Sequence, residues 1–352
     1  MSRIKSWVRP HLLDLMPYSS ARDEYSDSSG IFLDANENAF GSAGGGEWNR
    51  YPDPYQFRLK EKISELKDIK AEHVFLGNGS DEPIDLLIRA FCEPGRDKIA
   101  SFSPTYGMYA VSAGIHEIQH LQFPLDNEFN FNVDDINFDA LHGVKIFFLC
   151  SPNNPSGNLL DSYEIEKLLS RLNCLVVIDE AYIDFAPEVT WLKQIEQYDN
   201  LVVLQTFSKA WGLAAYRLGV AYANPDLITI LNKIKAPYNL NGPIQQLALG
   251  ALDRSEEVKE WVERIQEQRS YLEEALPKLS IIEKVYPSDA NFLLVKFKDS
   301  EKVFEYMLSQ KIILRDRSSQ PGCEGCLRIT VGTLSENQVL MTKLTEFELA
   351  HS

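Results

Sequence analysis

The sequence predicts an α/β protein with a mainly parallel sheet flanked by helices and a smaller α+β domain near its C-terminal end. Between residues 73 and 223, short apolar runs alternate with longer stretches of helical periodicity, which is typical of strands connected by helices. A Pro- and Gly-containing break follows at residues 236–243. We therefore expect an N-terminal segment (1–35) that packs with the small domain, a large domain (36–243) and a small C-terminal domain (244–352).

Each predicted element rests on its own pattern. The expected strands of the large sheet are the apolar runs at residues 74–76, 98–102, 145–149, 175–178, 201–204 and 219–223. Apolar positions at helical spacing predict helices over residues 83–92 and 162–172. The small domain is expected to begin with a long amphipathic helix (256–276) and to continue with strands at 292–297 and 327–331 around a helix at 303–308.

Composition narrows the function classes. The 352 residues carry a formal net charge of −16, which argues against binding to nucleic acid or to an anionic membrane. Residues 1–18 contain charged side chains rather than an apolar signal core, and no later segment is apolar enough to span a bilayer. The five cysteines form no evident disulfide framework. These features favour a cytoplasmic protein with reduced thiols.

Polar residues follow the apolar runs where a parallel sheet binds its ligands, beyond the carboxyl ends of the strands. In chain order they are Gly79, Ser80 and Asp81, then Tyr106, Asn154, Asp179 and Tyr182, and finally Thr206, Ser208 and Lys209. The glycine-containing turn before a helix can present backbone N–H groups to a phosphate, or Ser80 can simply cap the helix. A dinucleotide fingerprint is disfavoured because Glu82 stands where its third glycine belongs.

Lys209 is the candidate catalytic residue. The strand at 201–204 delivers Ser208 and Lys209 to its end, and Arg217 adds a fixed cation shortly afterwards. A lysine amine that is favoured in its neutral form can condense with an aldehyde, while a hydroxyl and a guanidinium can hold a phosphate. The grouping suits a phosphorylated aldehyde cofactor, although a lysine at a strand end can also be an ordinary solvated side chain.

Asp179 and Tyr106 fit the same kind of ligand. A carboxylate directly after an apolar strand is costly unless a cation meets it, and a protonated pyridine nitrogen is one such cation. At about 4 Å and an effective dielectric of about 20, that pair is worth roughly 4 kcal/mol. A salt bridge or a helix cap would also account for Asp179. The ring of Tyr106 can stack on a flat cofactor or pack in the core.

Nine short motifs resemble those of fold-type I pyridoxal-phosphate enzymes, in particular the aminotransferase family that contains histidinol-phosphate aminotransferase. They are LMPYSSAR (15–22), LDANEN (33–38), NRYPDP (49–54), SPTYGMY (103–109), SPNNPSG (151–157), IDEAYIDF (178–185), TFSKAWGLAAYRLG (206–219), ILRD (313–316) and LRITVGT (327–333). The resemblance covers nearly the whole chain. It implies the fold-type I architecture with pyridoxal 5'-phosphate as cofactor.

The resemblance also implies roles for residues. Lys209 would bind the cofactor aldehyde, and Asp179 would pair with the pyridine nitrogen. Asn154 and Tyr182 would bond the phenolic oxygen, and Tyr106 would stack on the ring. The remaining cofactor contacts would come from the phosphate-binding group of Ser208, Arg217, Thr206 and the backbone of Gly79, Ser80 and Asp81, together with Tyr51 of a partner subunit. A homodimer follows from the last of these.

On the substrate side, the resemblance implies that Arg328 binds the donor's α-carboxylate and that Arg328 and Arg315 bind the substrate phosphate. Tyr18, Asn36 and Tyr51 would lie nearby. The apolar neighbours of Arg315 lead us to expect that side chain to be buried and paired. The implied activity is a ping-pong transamination between L-histidinol phosphate and 2-oxoglutarate, giving imidazole-acetol phosphate and L-glutamate, within histidine biosynthesis.

Other functions stay open at this point. A threonine-phosphate decarboxylase and an aromatic aminotransferase use the same scaffold, whereas an effector-binding regulator is disfavoured by the acidic charge. The HExxH pattern at residues 116–120 formally matches a zinc-protease signature, but its setting favours a short strand or connector. The CxxC pattern at 323–326 lacks a second pair. We therefore expect no metal site.

Overall fold

The computed structural model describes residues 3–18 and 30–351. Its main feature is a seven-stranded sheet of β1 (Val74–Asn78), β2 (Lys98–Ser103), β3 (Gln119–Pro124), β4 (Val144–Cys150), β5 (Leu175–Asp179), β6 (Leu201–Thr206) and β7 (Leu218–Ala223). The strand order is β1-β7-β6-β5-β4-β2-β3. Strands β2 to β6 form parallel pairs, while β7 runs antiparallel to both of its neighbours, β6 and β1. The predicted mainly parallel sheet is therefore confirmed.

Helices cover both faces of this sheet and continue into the C-terminal part of the chain. They are α1 (Arg3–Trp7), α2 (Pro10–Leu13), α3 (Phe57–Lys67), α4 (Asp81–Phe91), α5 (Met108–Ile115), α6 (Ser162–Arg171), α7 (Pro225–Ile234), α8 (Gly242–Leu252), α9 (Ser255–Ala275), α10 (Ser300–Ser309) and α11 (Leu334–His351). The helices predicted from periodicity correspond to α4, α6, α9 and α10. Within residues 3–18 and 30–351, none of the helices combines the length and the apolar content that a membrane span requires.

Strand β5 shows why the large sheet reads as continuous apolar runs. Val176 and Ile178 belong to the core on one face of the sheet, and Leu175 and Val177 belong to the core on the other. A strand that is covered on both faces has no solvent side, so it does not alternate apolar and polar residues. Asp179 ends this strand and is therefore delivered to the sheet edge from a fully buried segment.

A second, antiparallel sheet follows in the C-terminal part. Its strands are β8 (Ile282–Val285), β9 (Phe292–Phe297), β10 (Arg315–Asp316) and β11 (Cys326–Thr330), in the order β10-β11-β9-β8. This sheet has its own core, which includes Leu272 of α9 and Leu344 of α11. Helix α8 instead packs on the core of the large sheet through Ala248 and Leu252. The predicted domain boundary at residues 243 and 244 stays a prediction.

The beginning of the chain corrects one expectation. We expected residues 1–35 to pack with the small domain, but Ile4 and Val8 of this segment lie in the core of the large sheet, and residues 1–2 and 19–29 of it lie outside the described residues. The backbone N–H of Arg9 also donates to the carbonyl of Ala90, at the end of α4, across 2.9 Å. The apolar positions of α1 thus find their nearest buried surface on the helix layer of the large sheet.

Candidate active site

A cavity of about 140 Å³ lies at the carboxyl ends of the central strands. Ten of the residues predicted to bind a cofactor line it: Ser80, Asp81, Tyr106, Asn154, Asp179, Tyr182, Thr206, Ser208, Lys209 and Arg217. They come from loops that are far apart in sequence, and the parallel strands bring those loops to one edge. The structure therefore assembles these side chains around one space, as the strand-end pattern predicts.

Asp179 sits at the inner wall of the cavity and is 2% exposed. Its carboxylate accepts a hydrogen bond from the hydroxyl of Tyr109 at 2.8 Å and one from the backbone N–H of Ala181 at 3.2 Å. Burial raises the pKa of Asp179 to about 6, although the two hydrogen bonds oppose that shift. No Lys, Arg or His among residues 3–18 and 30–351 forms an ion pair with it. The salt-bridge alternative for Asp179 therefore finds no support in the described chain.

Lys209 reaches into the same cavity from the loop after β6. Its Nζ lies 5.6 Å from the centre of the Tyr182 ring. Partial enclosure by protein, followed by the positive charge of Arg328, lowers the pKa of Lys209. Asp179 opposes this effect but does not cancel it. The surroundings thus raise the fraction of neutral amine above that of a free lysine, and the neutral amine is the nucleophilic and basic form.

The start of α4 forms an anion cradle at one end of the cavity. Gly79 has a φ of +73°, and its N–H donates to the carbonyl of Arg217 across 2.7 Å. The side chain of Ser80 makes no capping hydrogen bond. The first-turn N–H groups of a helix lack intrahelical acceptors, and the helix dipole favours an anion beside them. Ser208 and Arg217 border the same space, so hydroxyl, guanidinium and backbone donors converge there.

Two glycines allow this cradle to form. A Cβ added to Gly79 would lie 2.5 Å from Nη2 of Arg217, and one added to Gly219 would lie 2.2 Å from the backbone carbon of Gly79. The register places Gly77 of β1 opposite Gly219 of β7, so the turn that follows β1 passes directly over β7. Arg217 precedes β7, and its Nη2 lies 3.4 Å from Oδ2 of Asp81. The sequence patterns did not single out Gly219.

Arg328 connects the small sheet to the cavity. Its Nη1 donates to Oδ1 of Asn154 across 2.5 Å, and its guanidinium lies 5.1 Å from the centre of the Phe292 ring. Burial lowers the pKa of Arg328, and Arg315 adds to this effect, while Tyr182 opposes it. Because the oxygen of the Asn154 amide already accepts a bond, its NH₂ end is the part that remains to donate to a ligand.

The prediction that Arg315 is buried and paired is wrong. It is exposed rather than buried, and no carboxylate of the described residues pairs with it. The reason is that β10 is a two-residue strand at the edge of the small sheet, so the apolar residues before it do not enclose it. Its Cα partner across the ladder is Arg328. The structure thus brings the two predicted substrate-binding arginines together on neighbouring strands.

Six predicted residues do not line the cavity of their own chain: Gly79, Arg315 and Arg328, described above, and also Tyr18, Asn36 and Tyr51. Tyr18 is 72% exposed. Asn36 and Tyr51 line a separate groove, in which the ring of Tyr51 stacks on that of Tyr238 at 4.5 Å between centroids. Their roles near substrate and cofactor stay predictions. The part of LMPYSSAR beyond Tyr18 lies outside the described residues.

The sequence patterns missed Tyr109 as a site residue, although it lies within the SPTYGMY motif. Its ring is fully buried, stacks on Phe148 at 4.6 Å and sends its hydroxyl to Asp179. A buried tyrosine hydroxyl needs a hydrogen-bond partner, and this need is the signal by which Tyr109 could have been predicted as a site residue. Cys150, Ala181 and Ala214 also line the cavity and carried no sequence signal for this role.

The two histidines of the HExxH pattern have different partners in the structure, and both cysteines of the CxxC pattern are buried. His116 follows α5 and lies 2.6 Å from a carboxylate oxygen of Asp85, whereas His120 lies in β3 beside Ser101. The predicted short strand is confirmed. Cys323 and Cys326 are both buried free thiols. In the described part of the chain, no three His, Cys, Asp or Glu side chains are grouped to hold a metal ion.

Two such sheets, together with a cavity that joins a lysine, a buried carboxylate and an anion cradle, are typical of fold-type I pyridoxal-phosphate enzymes. Residues 24–344 match the family model of class I and II aminotransferases, and the chain belongs to this family. A histidinol-phosphate aminotransferase of Cytophaga hutchinsonii is 50% identical to it over 344 residues, which cover 98% of this chain and 99% of the relative.

Solved structures agree with the family at the level of the fold. A histidinol-phosphate aminotransferase of Sinorhizobium meliloti, solved in complex with pyridoxal-5'-phosphate, has a TM-score of 0.80 at 20% identity and covers 97% of each chain. An L-threonine-O-3-phosphate decarboxylase of Porphyromonas gingivalis has a TM-score of 0.75 at 25% identity, covering 85% of this chain and 91% of its own. The fold is therefore shared by transaminases and decarboxylases.

Proposed function

We propose that this protein catalyses amino transfer between L-histidinol phosphate and 2-oxoglutarate in histidine biosynthesis, with pyridoxal 5'-phosphate as its cofactor. The observation that carries the proposal is the shared cavity. It holds Lys209, Asp179 and an anion cradle, and Arg328 reaches its rim from the small sheet. The 50% identity to a histidinol-phosphate aminotransferase over nearly the whole chain supports the choice of substrate.

The residues fit pyridoxal phosphate on two independent observations. Asp179 is a buried carboxylate with no cationic partner among residues 3–18 and 30–351, and a protonated ring nitrogen would supply one. The cradle of Ser80, Ser208 and Arg217 offers donors for a phosphate. Tyr106 would stack on the ring, and Asn154 and Tyr182 would bond its phenolic oxygen. Thr206 would orient Ser208, to which its hydroxyl lies 3.0 Å away.

When bound, the cofactor supplies an aldehyde carbon for the amino group and a protonated ring that accepts electron density from the substrate Cα. Lys209 would hold the cofactor through its amine, and the freed amine would be placed to move the substrate Cα proton. Its lowered pKa keeps a larger neutral fraction available for this work. Asp179 would place a carboxylate against the ring nitrogen and so favour the protonated ring.

Arg328 and Arg315 would bind the anions of both substrates. Planar guanidinium groups can bind carboxylate and phosphate in a bidentate manner, which allows one site to accept glutamate in one half-reaction and the phosphorylated amine in the other. Tyr18 and Asn36 would contribute to the same side. Neither residue lines the cavity of its own chain, so this part of the proposal requires that they reach the site in a dimer.

We also infer a homodimer in which Tyr51 reaches the cofactor phosphate of the partner subunit. The half-exposed ring of Tyr51 and its absence from the cavity lining of its own chain support this inference. Mixing Lys209→Ala chains with Tyr51→Ala chains tests it. Hybrid dimers that regain activity would support a shared site, whereas a monomer by sedimentation, or no recovery in proven hybrids, would oppose it. A cytoplasmic location is proposed with it, and fractionation of cells tests that part.

The substrate profile of the purified holoenzyme tests the function. The expected result is amino transfer from histidinol phosphate to 2-oxoglutarate at a kcat/KM well above that for phenylalanine. Threonine phosphate should release no carbon dioxide. Carbon dioxide release without amino transfer would assign the protein to the decarboxylases that share its fold, and a preference for phenylalanine would make it an aromatic aminotransferase. The Lys209→Ala variant is the control for both assays.

A further inference from the structure

Three arginines share one face of the small sheet. Arg315 and Arg328 are directly opposite each other in the antiparallel β10–β11 ladder. The N–H of Arg317 donates to the carbonyl of Cys326 across 3.0 Å, which continues the same ladder by two residues. Side chains two residues apart in a strand point to the same face, so Arg317 lies beside Arg315 and diagonally opposite Arg328.

This cluster has no anionic partner in the described chain. None of the three guanidinium groups forms an ion pair with a carboxylate among residues 3–18 and 30–351. The Nε of Arg317 is buried without a hydrogen-bond partner. Like charges on facing strands repel, and an unpaired buried donor costs free energy. Burial, followed by the charges of Arg328 and then Arg315, lowers the pKa of Arg317, in keeping with the close approach of these cations.

Two of the three arginines lie near residues that line the cavity already described. Arg328 contacts Asn154, which lines the cavity, and both Arg328 and Arg317 act on the pKa of Tyr182, which lines it too. Burial raises the pKa of Tyr182, and the two arginines partly oppose that shift. An anion bound between the arginines would therefore lie next to the reacting groups.

We propose that Arg317 is a third guanidinium of the substrate-anion site and that it favours the binding of a phosphate group over the binding of a carboxylate group. The proposal rests on the proposed function, because it assumes that both kinds of anion enter this cavity. A phosphate monoester carries a charge of about −1.5 to −2 at neutral pH and three acceptor oxygens. A carboxylate carries one charge and two oxygens. The third cation and its unpaired Nε therefore add more to binding of the phosphate.

The test compares Arg317→Gln with the wild-type holoenzyme. We expect the KM for histidinol phosphate to rise about tenfold, while the KM for glutamate changes less than about threefold. The dissociation constant of inorganic phosphate, measured by calorimetry on the holoenzyme, should rise about tenfold as well. Arg264→Gln is the matched control. Arg264 is exposed on α9, so this substitution removes the same charge outside the site.

The Arg317→Lys variant distinguishes a loss of charge from a loss of folding. It should regain most of the affinity for phosphate, and its dissociation constant for phosphate can still be measured if the glutamine variant folds poorly. Equal losses for glutamate and phosphate, or no loss for either, would overturn the role of Arg317. The calorimetric measurement needs no turnover, so a wild-type enzyme that fails to use histidinol phosphate would refute the proposed function without deciding the role of Arg317.

Discussion

The hydroxyl of Tyr109 donates a 2.8 Å hydrogen bond to Oδ2 of Asp179, and both residues are buried. Tyr109→Phe removes the donor and leaves the carboxylate with the Ala181 N–H alone. We expect kcat to fall about tenfold and the free energy of unfolding to fall by about 1–2 kcal/mol. Steady-state kinetics and denaturant titration measure these effects. Tyr163→Phe removes an exposed hydroxyl and is the control. An equal effect of this control would contradict the role of the hydrogen bond between Tyr109 and Asp179.

Lys209→Ala should abolish amino transfer, because the cavity then lacks the amine that is proposed to hold the cofactor aldehyde and to move the proton. The visible absorbance band of the lysine-bound cofactor should disappear, while the melting temperature of the cofactor-free protein stays close to that of the wild type. Absorbance spectroscopy and single-turnover assays measure the two effects. A variant that kept both the band and the turnover would refute the assignment of Lys209.

The stability of the cofactor-free protein should depend on pH through Asp179. Its pKa is 3.8 ordinarily and about 6 in the fold, so the folded state binds more protons between these values and loses stability as the pH rises through that window. Asp179→Asn removes this cost. The variant should gain up to about 3 kcal/mol relative to wild type at pH 8 and progressively less as the pH falls toward 4.

Thermal unfolding at several pH values measures this gain, with Asp135→Asn as the exposed control. Glu180 is also buried, and its pKa is raised to about 7 by burial, but it is present in both proteins and cancels in the comparison. In the holoenzyme the variant should bind the cofactor more weakly. A gain in stability that is independent of pH would contradict the role given to Asp179.

Arg328→Ala should impair both half-reactions, since one guanidinium is proposed to bind the anions of both substrates. A loss of about a hundredfold in kcat/KM for glutamate and for histidinol phosphate is expected from the removal of a charge-assisted bidentate contact. Single-turnover kinetics of each half-reaction measure it, with Arg264→Ala as the control. An unchanged response to glutamate would rule out a shared anion site.

Gly219→Ala should destabilise the anion cradle. Its Cβ would lie 2.2 Å from backbone atoms of Gly79 and Ser80, so the turn after β1 must move. We expect a loss of about 3 kcal/mol in unfolding free energy and weaker cofactor binding. Gly250→Ala is the control, because a Cβ there meets nothing within 4 Å and Gly250 lies in helix α8. Similar stabilities for the two variants would contradict the close contact.

The sequence predicted the parts of the site that follow parallel strands. Asp179 and Lys209 come directly after buried apolar runs, and a parallel sheet sends the ends of such runs to one edge. This rule could not predict the position of Arg217, because Arg217 precedes a strand. It reaches the same edge because β7 runs antiparallel, which the apolar pattern cannot reveal.

Two other residues were hidden for different reasons. Tyr109 lies in a helix with apolar neighbours, so its hydroxyl had no visible partner until the fold placed α5 beside β5. Arg317 follows a strand of only two residues, which is too short to show an alternating pattern. Long buried elements could be predicted from the sequence, whereas contacts that depend on strand direction or on a short edge strand needed the three-dimensional structure.

The hydrogen bond from Arg328 to Asn154 joins a residue proposed to bind the substrate anion to a residue proposed to bind the cofactor. With those roles, an anion that draws Arg328 toward itself would also change how firmly the Asn154 amide is held against the cofactor. By thermodynamic reciprocity, the cofactor would then change the affinity for the anion by the same factor. Titrating one ligand at fixed levels of the other would measure the coupling free energy between the two ligands.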